Sequence, residues 1–419
     1  MKDKRNLTMY MVGRFISFIG SGIQQIALPL YILDITHSAI MMGIFSALNL
    51  VPNLIVAPLA GILGDRKNRK NIMVFCDFGR GILVFILGFL AVTGNINIYI
   101  LFVSQILSSI MDSIFQSSSS ALFPELFSGD KLMKLMSVRG GLDSCSMIVG
   151  PALGGVIYGL FGIDSVFYLN GISFVVSGIC SIFIVYVSKI NNTEKIEIKT
   201  FFIENAEVLL FIKKNKGLIQ LMAYLMVMNL FIEPILNIVL PYVIKNGIGF
   251  NSQQYGYLVA IITIGTLLGN IILGAFLNKV KVKLIMNTSL VMYIMMMIIF
   301  SITIFPYIIK ELGGRSLFLF TIFCVIWLFV GIFTAGINTP INTNIQKLVP
   351  NAMRSRFFSF LGMACWGAIP LGSIIYGFLL DKFKYYYMLV AVLIITLLAT
   401  VVFIRKAVPE VYEPNYKDD

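Results

Sequence analysis

Two carboxylates stand where carboxylates are costly. Asp112 lies about 14 residues into one long apolar run and Glu233 about 16 into another, depths of ~20 Å from their helix ends. Charged groups at mid-membrane depth are rare and mark ion or substrate paths. A low dielectric favours the neutral form of a buried acid and a nearby cation favours the ionised form, so an acid so placed can exchange a proton for a cationic solute. The alternative is a structural role, with either acid paired to backbone or to a serine such as Ser108 or Ser109. Asp77 and Arg80 lie three apart on one helical face, in the first turns of another apolar run, and read as an i, i+3 ion pair. Arg14, in the first run, is expected to reach back to the membrane edge by snorkelling.

Most of the remaining charge falls in the turns and tails. Gly61 Ile62 Leu63 Gly64 Asp65 Arg66 Lys67 Asn68 Arg69 Lys70 puts a knot of ions between two apolar runs. There Asp65 can face a helix N-terminus, and Arg66, Arg69 and Lys70 can hold carboxylates or phosphate headgroups. A weaker copy follows in the second half, Gly274 to Lys283. Gly150 Pro151 Ala152 Leu153 Gly154 Gly155 combines small residues, which let two helices approach closely, with a proline that bends the rod.

The elements that position these residues follow from length. A hydrocarbon core of ~30 Å needs about 20 helical residues per crossing. On that ruler the chain carries twelve apolar runs, near 9–32, 39–63, 71–92, 98–122, 136–160, 165–187, 217–243, 253–277, 284–306, 316–340, 357–380 and 386–404. The expected architecture is an all-α membrane protein of twelve transmembrane helices in two pseudo-symmetric six-helix bundles. Its parts are an N-terminal bundle (1–187), a cytoplasmic linker (188–216), a C-terminal bundle (217–404) and a tail (405–419). The repeat shows in Phe123 Pro124 against Val349 Pro350, and in the run from Pro151 to Gly159 against that from Pro370 to Gly377. Within the linker, Thr200 to Lys214 mixes Phe, Leu and Ile with Glu and Lys, which suits either a helix lying on the membrane surface or an early start to the seventh span.

Composition agrees. With 419 residues, 58% hydrophobic and 12% charged, the chain lacks the polar surface a soluble globule would need. The net charge of +12 gathers at the ends of spans rather than in a basic stripe, so nucleic acid is not an expected partner. If the N-terminus is cytoplasmic, 25 Lys and Arg lie on the inner side and five on the outer, so both termini are expected in the cytoplasm. The first run has full span length and no small-residue cleavage site, which predicts a retained helix rather than a removed signal. Cys76, Cys145, Cys180, Cys324 and Cys365 lie inside spans and read as packing residues, with neither a disulfide framework nor a metal site. No cofactor is expected. An enzyme is not expected either: there is no Walker loop and no H-E-x-x-H, and the single histidine, His37, lies in a short outer loop.

The pattern G-x-x-x-D-R-x-x-R-K at Gly61 to Lys70 resembles the loop between the second and third helices of the major facilitator superfamily of secondary transporters. Asn68 stands where the family has glycine. G-P-x-x-G-G at Gly150 to Gly155 resembles the seam of members that export by exchange against protons. Asp77-x-x-Arg80 with Arg14 to Gly20 is similar to the branch of enterobactin exporters and macrolide efflux pumps. The arginine motif typical of the fourth helix in proton-drug exchangers is absent. The resemblance implies alternating access in the cell membrane by a monomer, with Gly61, Asp65, Arg66, Arg69 and Lys70 as a conformational latch. It also implies a central cavity on the first, fourth, seventh and tenth helices. That cavity would hold Asp112, Glu233, Gln24, Gln25, Asn229 and Asn338, with Asn237, Asn342 and Asn344 nearby and Phe115, Tyr224, Phe231 and Trp327 as aromatic walls. The implied partners are a small hydrophobic or amphipathic molecule, macrolide-like or siderophore-like, protons and the lipid bilayer. Import or lipid flipping by the same fold remains the alternative.

Overall fold

A computed structural model describes residues 2–127, 131–186, 207–276, 280–350 and 353–414 of the chain; side chains at 2, 3, 58, 61, 62, 65, 66, 131, 133, 276, 354, 355 and 359 fall outside the description. Residues 200–206 of the membrane-surface helix expected over 200–214 lie outside it too. Of that stretch, 207–214 is helical, with Val208 and Ile212 buried and Leu209 and Leu210 exposed.

The fold is all-α, with helices long and apolar enough to cross a membrane throughout. The first half comprises α1 (Lys2–Thr36), α2 (Ala39–Arg66), α3 (Arg69–Val92), α4 (Ile98–Leu126) and α5 (Lys131–Ile182). The second comprises α6 (Lys216–Phe231), α7 (Ser252–Phe276), α8 (Val282–Thr303), α9 (Leu317–Leu348), α10 (Arg354–Trp366), α11 (Ala368–Lys382) and α12 (Tyr385–Lys406), with a short turn, Pro409–Tyr412, after it. Eleven candidate spans are recognised among the described residues, and the one in α5 runs for 49 residues. That length covers two crossings. Gly162 divides it, with φ 81° and ψ 179° inside an otherwise helical run. The twelve expected crossings are therefore present, the fifth and sixth joined by one glycine. Only glycine takes such a backbone conformation without strain.

Starts and stops follow local chemistry. Asn68 caps α3, its side chain accepting from the Asn71 N–H at 3.3 Å. Asn97 caps α4 by accepting from Ile100, and Ser316 caps α9 by accepting from Leu319. Asn68 has φ −62°, so the left-handed turn that would excuse asparagine in place of glycine is not used; the residue serves as a cap instead.

The chain forms two compact units, Met1–Glu194 with Asn251–Ala260, and Lys195–Phe250 with Ile261–Asp419. In the first, α1 packs along α5, α2 against α4, and α3 against α4 and α5. Its core at the end near the α2–α3 turn is apolar, built on Tyr10, Met73, Phe115, Leu122 and Phe123. In the second, α8 packs on α9 and α12, and α6 on α11 and α12. Large apolar side chains such as Phe75, Leu160, Leu317 and Leu371 point outward. On a soluble protein that would be an aggregation surface; here it is the face offered to lipid.

Candidate functional site

Polar chemistry in the first unit centres on one guanidinium. Arg80 on α3 donates from Nη2 to Asp77 Oδ1 at 2.7 Å and from Nη1 to Asp112 Oδ1 on α4 at 2.9 Å. Its Cζ lies 4.6 Å from the centroid of Phe115 and 4.3 Å from that of Phe174, so two aromatic faces sandwich the cation. The other oxygen of Asp77 accepts from the Ser177 hydroxyl on α5 at 2.7 Å. Asp77 is 0% exposed and Arg80 4%, whereas the Asp112 side chain is 40% exposed. Two carboxylates share one cation, and only Asp112 has access to the surroundings. The i, i+3 pair expected from spacing is present. Asp112, however, joins it, rather than standing alone or bonding to Ser108 or Ser109. Ser109 instead donates to the Asn49 carbonyl on α2 at 2.6 Å.

A second ion cluster lies one turn further along α4. Arg14 Nε and Nη2 donate to the two oxygens of Asp143 at 2.7 and 2.9 Å, and Nη1 approaches Gln116 Oε1 at 3.5 Å. The guanidinium also sits 4.0 Å over the Phe18 ring. The snorkelling expected of Arg14 does not occur: a two-pronged carboxylate inside the unit satisfies the cation better than a stretch to the membrane edge. Arg139 Nε lies 4.0 Å from Asp143. The sequence signal for Asp143 was its place four residues after Arg139, a helical i, i+4 spacing. Arg14→Met should lower stability by about 3 kcal/mol, because it strands a partly buried carboxylate. Thermal melting in detergent checks this, and a melt equal to wild type would restore the snorkelling account.

At the α2–α3 turn, Arg69 Nη1 meets Glu125 Oε1 at 2.5 Å and Arg69 Nε donates to the Gly64 carbonyl at 3.1 Å. Tyr186 donates its hydroxyl to the other Glu125 oxygen at 2.6 Å, and Lys70 Nζ donates to the Ile182 carbonyl at 2.7 Å. Arg69 and Lys70 thus tie the turn to the ends of α4 and α5. Gly61, Asp65 and Arg66 lie in the last turns of α2, with side chains outside the description.

The glycine motif on α5 faces two neighbours. A methyl group added at Gly150 would come within 3.0 Å of Gly22 Cα, and one at Gly154 within 2.6 Å of the Ile23 carbonyl oxygen, both on α1. One at Gly155 would come within 2.6 Å of the Ser252 carbonyl oxygen and 2.8 Å of Gly256 Cα on α7. Pro151 is buried in the same stretch, and its carbonyl faces Gly256. Backbones, not side chains, make this contact. Gly154→Ala should therefore cost about 1–3 kcal/mol through overpacking, read as a lowered melting temperature; no change would mean α1 is free to give way.

In the second unit Glu233 lies just past the end of α6, whose last residue is Phe231, and immediately before Pro234. The backbone then continues as π-helix over Ile235–Val239. Proline supplies no N–H and shifts the register, freeing carbonyls upstream. Tyr376 on α11 donates to one of these, Phe231 O, at 2.7 Å. Among the described residues no hydrogen bond or ion pair reaches the Glu233 carboxylate, and its side chain is half-buried. Asn237 donates to the Glu233 backbone carbonyl at 3.2 Å.

The remaining polar candidates divide. Gln24 accepts from Asn170 at 2.5 Å, Asn229 donates to the Cys365 carbonyl at 2.9 Å, and Asn344 is buried. Gln25, Asn338 and Asn342 are exposed. Of the four aromatics expected as walls, Phe115, Tyr224 and Trp327 are core residues, buried to 5% exposure or less; Phe231 is half-buried.

The family model of the Major Facilitator Superfamily matches residues 10–233 and 221–418, nearly the whole described chain. The chain belongs to the Major Facilitator Superfamily. Within that superfamily it is 25% identical over 372 residues to Macrolide efflux protein A of Streptococcus pyogenes, covering 88% of each chain. It is also 26% identical to Multidrug resistance protein 2 of Bacillus subtilis, over 41% of each. Solved superfamily structures share the fold: nucleoside transporter NupG, with a TM-score of 0.74 at 15% identity over 96% of this chain and 99% of that one, and a D-xylose-proton symporter, with 0.72 at 13% over 99% and 100%. The result is a multi-pass membrane protein of this superfamily, with proteins named for macrolide efflux and multidrug resistance among its relatives at low identity.

Proposed function

We propose that this protein is a proton-coupled exporter of hydrophobic or amphipathic compounds, macrolide-like or siderophore-like, working by alternating access in the cell membrane with both termini in the cytoplasm. The observation that carries the reading is the likeness to a macrolide efflux protein along 88% of both chains. It is supported by two acids at membrane depth, Asp112 sharing a cation with Asp77 and Glu233 beside a π-helical break. Asp112, Glu233, Gln24, Gln25, Asn229 and Asn338 form the proton and substrate path. Gly61, Asp65, Arg66, Arg69 and Lys70 form the latch, and Gly150, Pro151, Gly154 and Gly155 the seam. The partition is 1–187, 188–216, 217–404 and 405–419, and the protein acts as a monomer without chemical catalysis.

The test is uptake into inverted vesicles under an imposed pH gradient, with macrolides, siderophores and cationic dyes as probes. Accumulation that follows the gradient and collapses with a protonophore is expected. Uptake indifferent to pH and to every ion gradient removes the exchanger. A second reading, import, is favoured by the fold likeness to a proton symporter for D-xylose. Accumulation in right-side-out vesicles, and none in inverted ones, would establish it.

A further inference from the structure

The two bundles close their lysine- and arginine-rich ends, here called inner, by different means. In the first unit the closure is ionic: Arg69 on Glu125, with Tyr186, from the segment after α5, hydrogen-bonded to the same carboxylate. The repeat shows that the second unit lacks the parts. Aligning Gly61–Lys70 with Gly274–Lys283 puts Val282 opposite Arg69 and Lys283 opposite Lys70. Aligning Phe123 Pro124 with Val349 Pro350 puts Asn351 opposite Glu125. Neither the cation nor the anion survives.

The chain after α12 turns back onto that end instead. Asn344 on α9, itself 2% exposed, donates from Nδ2 to the Val411 carbonyl at 2.7 Å. Tyr412 donates its hydroxyl to Asn287 Oδ1 on α8 at 3.0 Å, and Lys283 Nζ lies 5.5 Å from the Tyr412 ring centroid. Gln220 on α6 is used twice, donating to the Lys406 carbonyl and accepting from the Val408 N–H, both at 2.8 Å. Gly217 on α6 leaves the room: a methyl group there would meet Glu410 Cβ at 3.1 Å. Val411 and Tyr412 are buried at 0% and 4% exposure. Terminal segments of most proteins are loosely held unless something ties them down. Here three helices do so.

We infer that the Pro409–Tyr412 turn is a brace that replaces the lost ion pair, tying the inner ends of α6, α8 and α9 so that the second bundle moves as one piece in the transport cycle. Tyr412, Asn344, Asn287 and Gln220 are then positioning residues for transport. The inference rests on the transport reading above, and its test separates the two.

The experiment compares full-length wild type, Tyr412→Ala and Asn344→Ala in lipid nanodiscs by hydrogen exchange, and in inverted vesicles by uptake of the probe that wild type carries. Expected are exchange about tenfold faster at the inner turns of α8 and α9, from the loss of one or two hydrogen bonds, with the first unit unchanged. Uptake should fall by about the same factor while the amount of inserted protein stays level. Installing the absent ion pair, Val282→Arg with Asn351→Glu, in the Tyr412→Ala background should restore uptake, which a loss of general stability would not allow. If Tyr412→Ala is not inserted, Tyr412→Phe and Asn287→Ala, which remove only one hydrogen bond, carry the comparison. Unchanged exchange, or normal uptake despite faster exchange, overturns the brace. If wild type moves no probe under any gradient, the transport reading fails, and unchanged or faster exchange still decides whether the turn ties these helices.

Discussion

Asp112→Asn and Glu233→Gln should each reduce proton-driven uptake into inverted vesicles to the level of empty membranes, while the protein is still made and inserted. The two acids are suited to such a test because neither is a keystone of its unit. Arg80 keeps Asp77 when Asp112 loses its charge, and the Asp112 side chain is 40% exposed, so the lost pair is worth roughly 1 kcal/mol or less after solvent screening. Glu233 has no hydrogen bond or ion pair to its carboxylate among the described residues, so glutamine, of the same shape, disturbs little packing. Each change removes only the ability to gain and lose a charge. Binding of a dye by the purified variants should survive, which separates lost coupling from lost recognition. Wild-type uptake by both variants would end the assignment of these acids, whatever the direction of transport.

Arg80→Gln should have the largest effect on stability, about 3–5 kcal/mol. The reason is Asp77. It is fully buried between α3 and α5, and without the guanidinium it retains only the Ser177 hydroxyl. Removing both charges costs less than removing one, so Arg80→Gln with Asp77→Asn should recover much of the loss. A melting series in detergent on wild type, the two single variants and the double closes the cycle. A double variant no more stable than Arg80→Gln alone would show that Arg80 acts through its packing between Phe115 and Phe174 rather than through its charge.

The crossings were legible because a bilayer imposes one length on every span, and the gap between the fifth and sixth runs falls where Gly162 breaks α5. Partners across helices were not. Asp143 is 129 residues from Arg14, and Asp112 is 32 from Arg80. A single sequence shows that a charge is buried, not which helix answers it. The aromatics failed for another reason. In a membrane protein the lipid face, the core and a cavity wall are all apolar, so nothing in the residue type separates Trp327, wholly buried, from a residue that could meet substrate. Asn68, which stands where the family has glycine, is explained by the start of α3, which it caps.

The hinge at Gly162 has a bearing on how the chain is made. Phe161 and Ile163 on either side are still helical, so the polypeptide reverses across the membrane with no slack between descent and return. Two crossings that share a single pivot cannot be threaded independently; they must be delivered to the lipid together, as one hairpin, while synthesis continues.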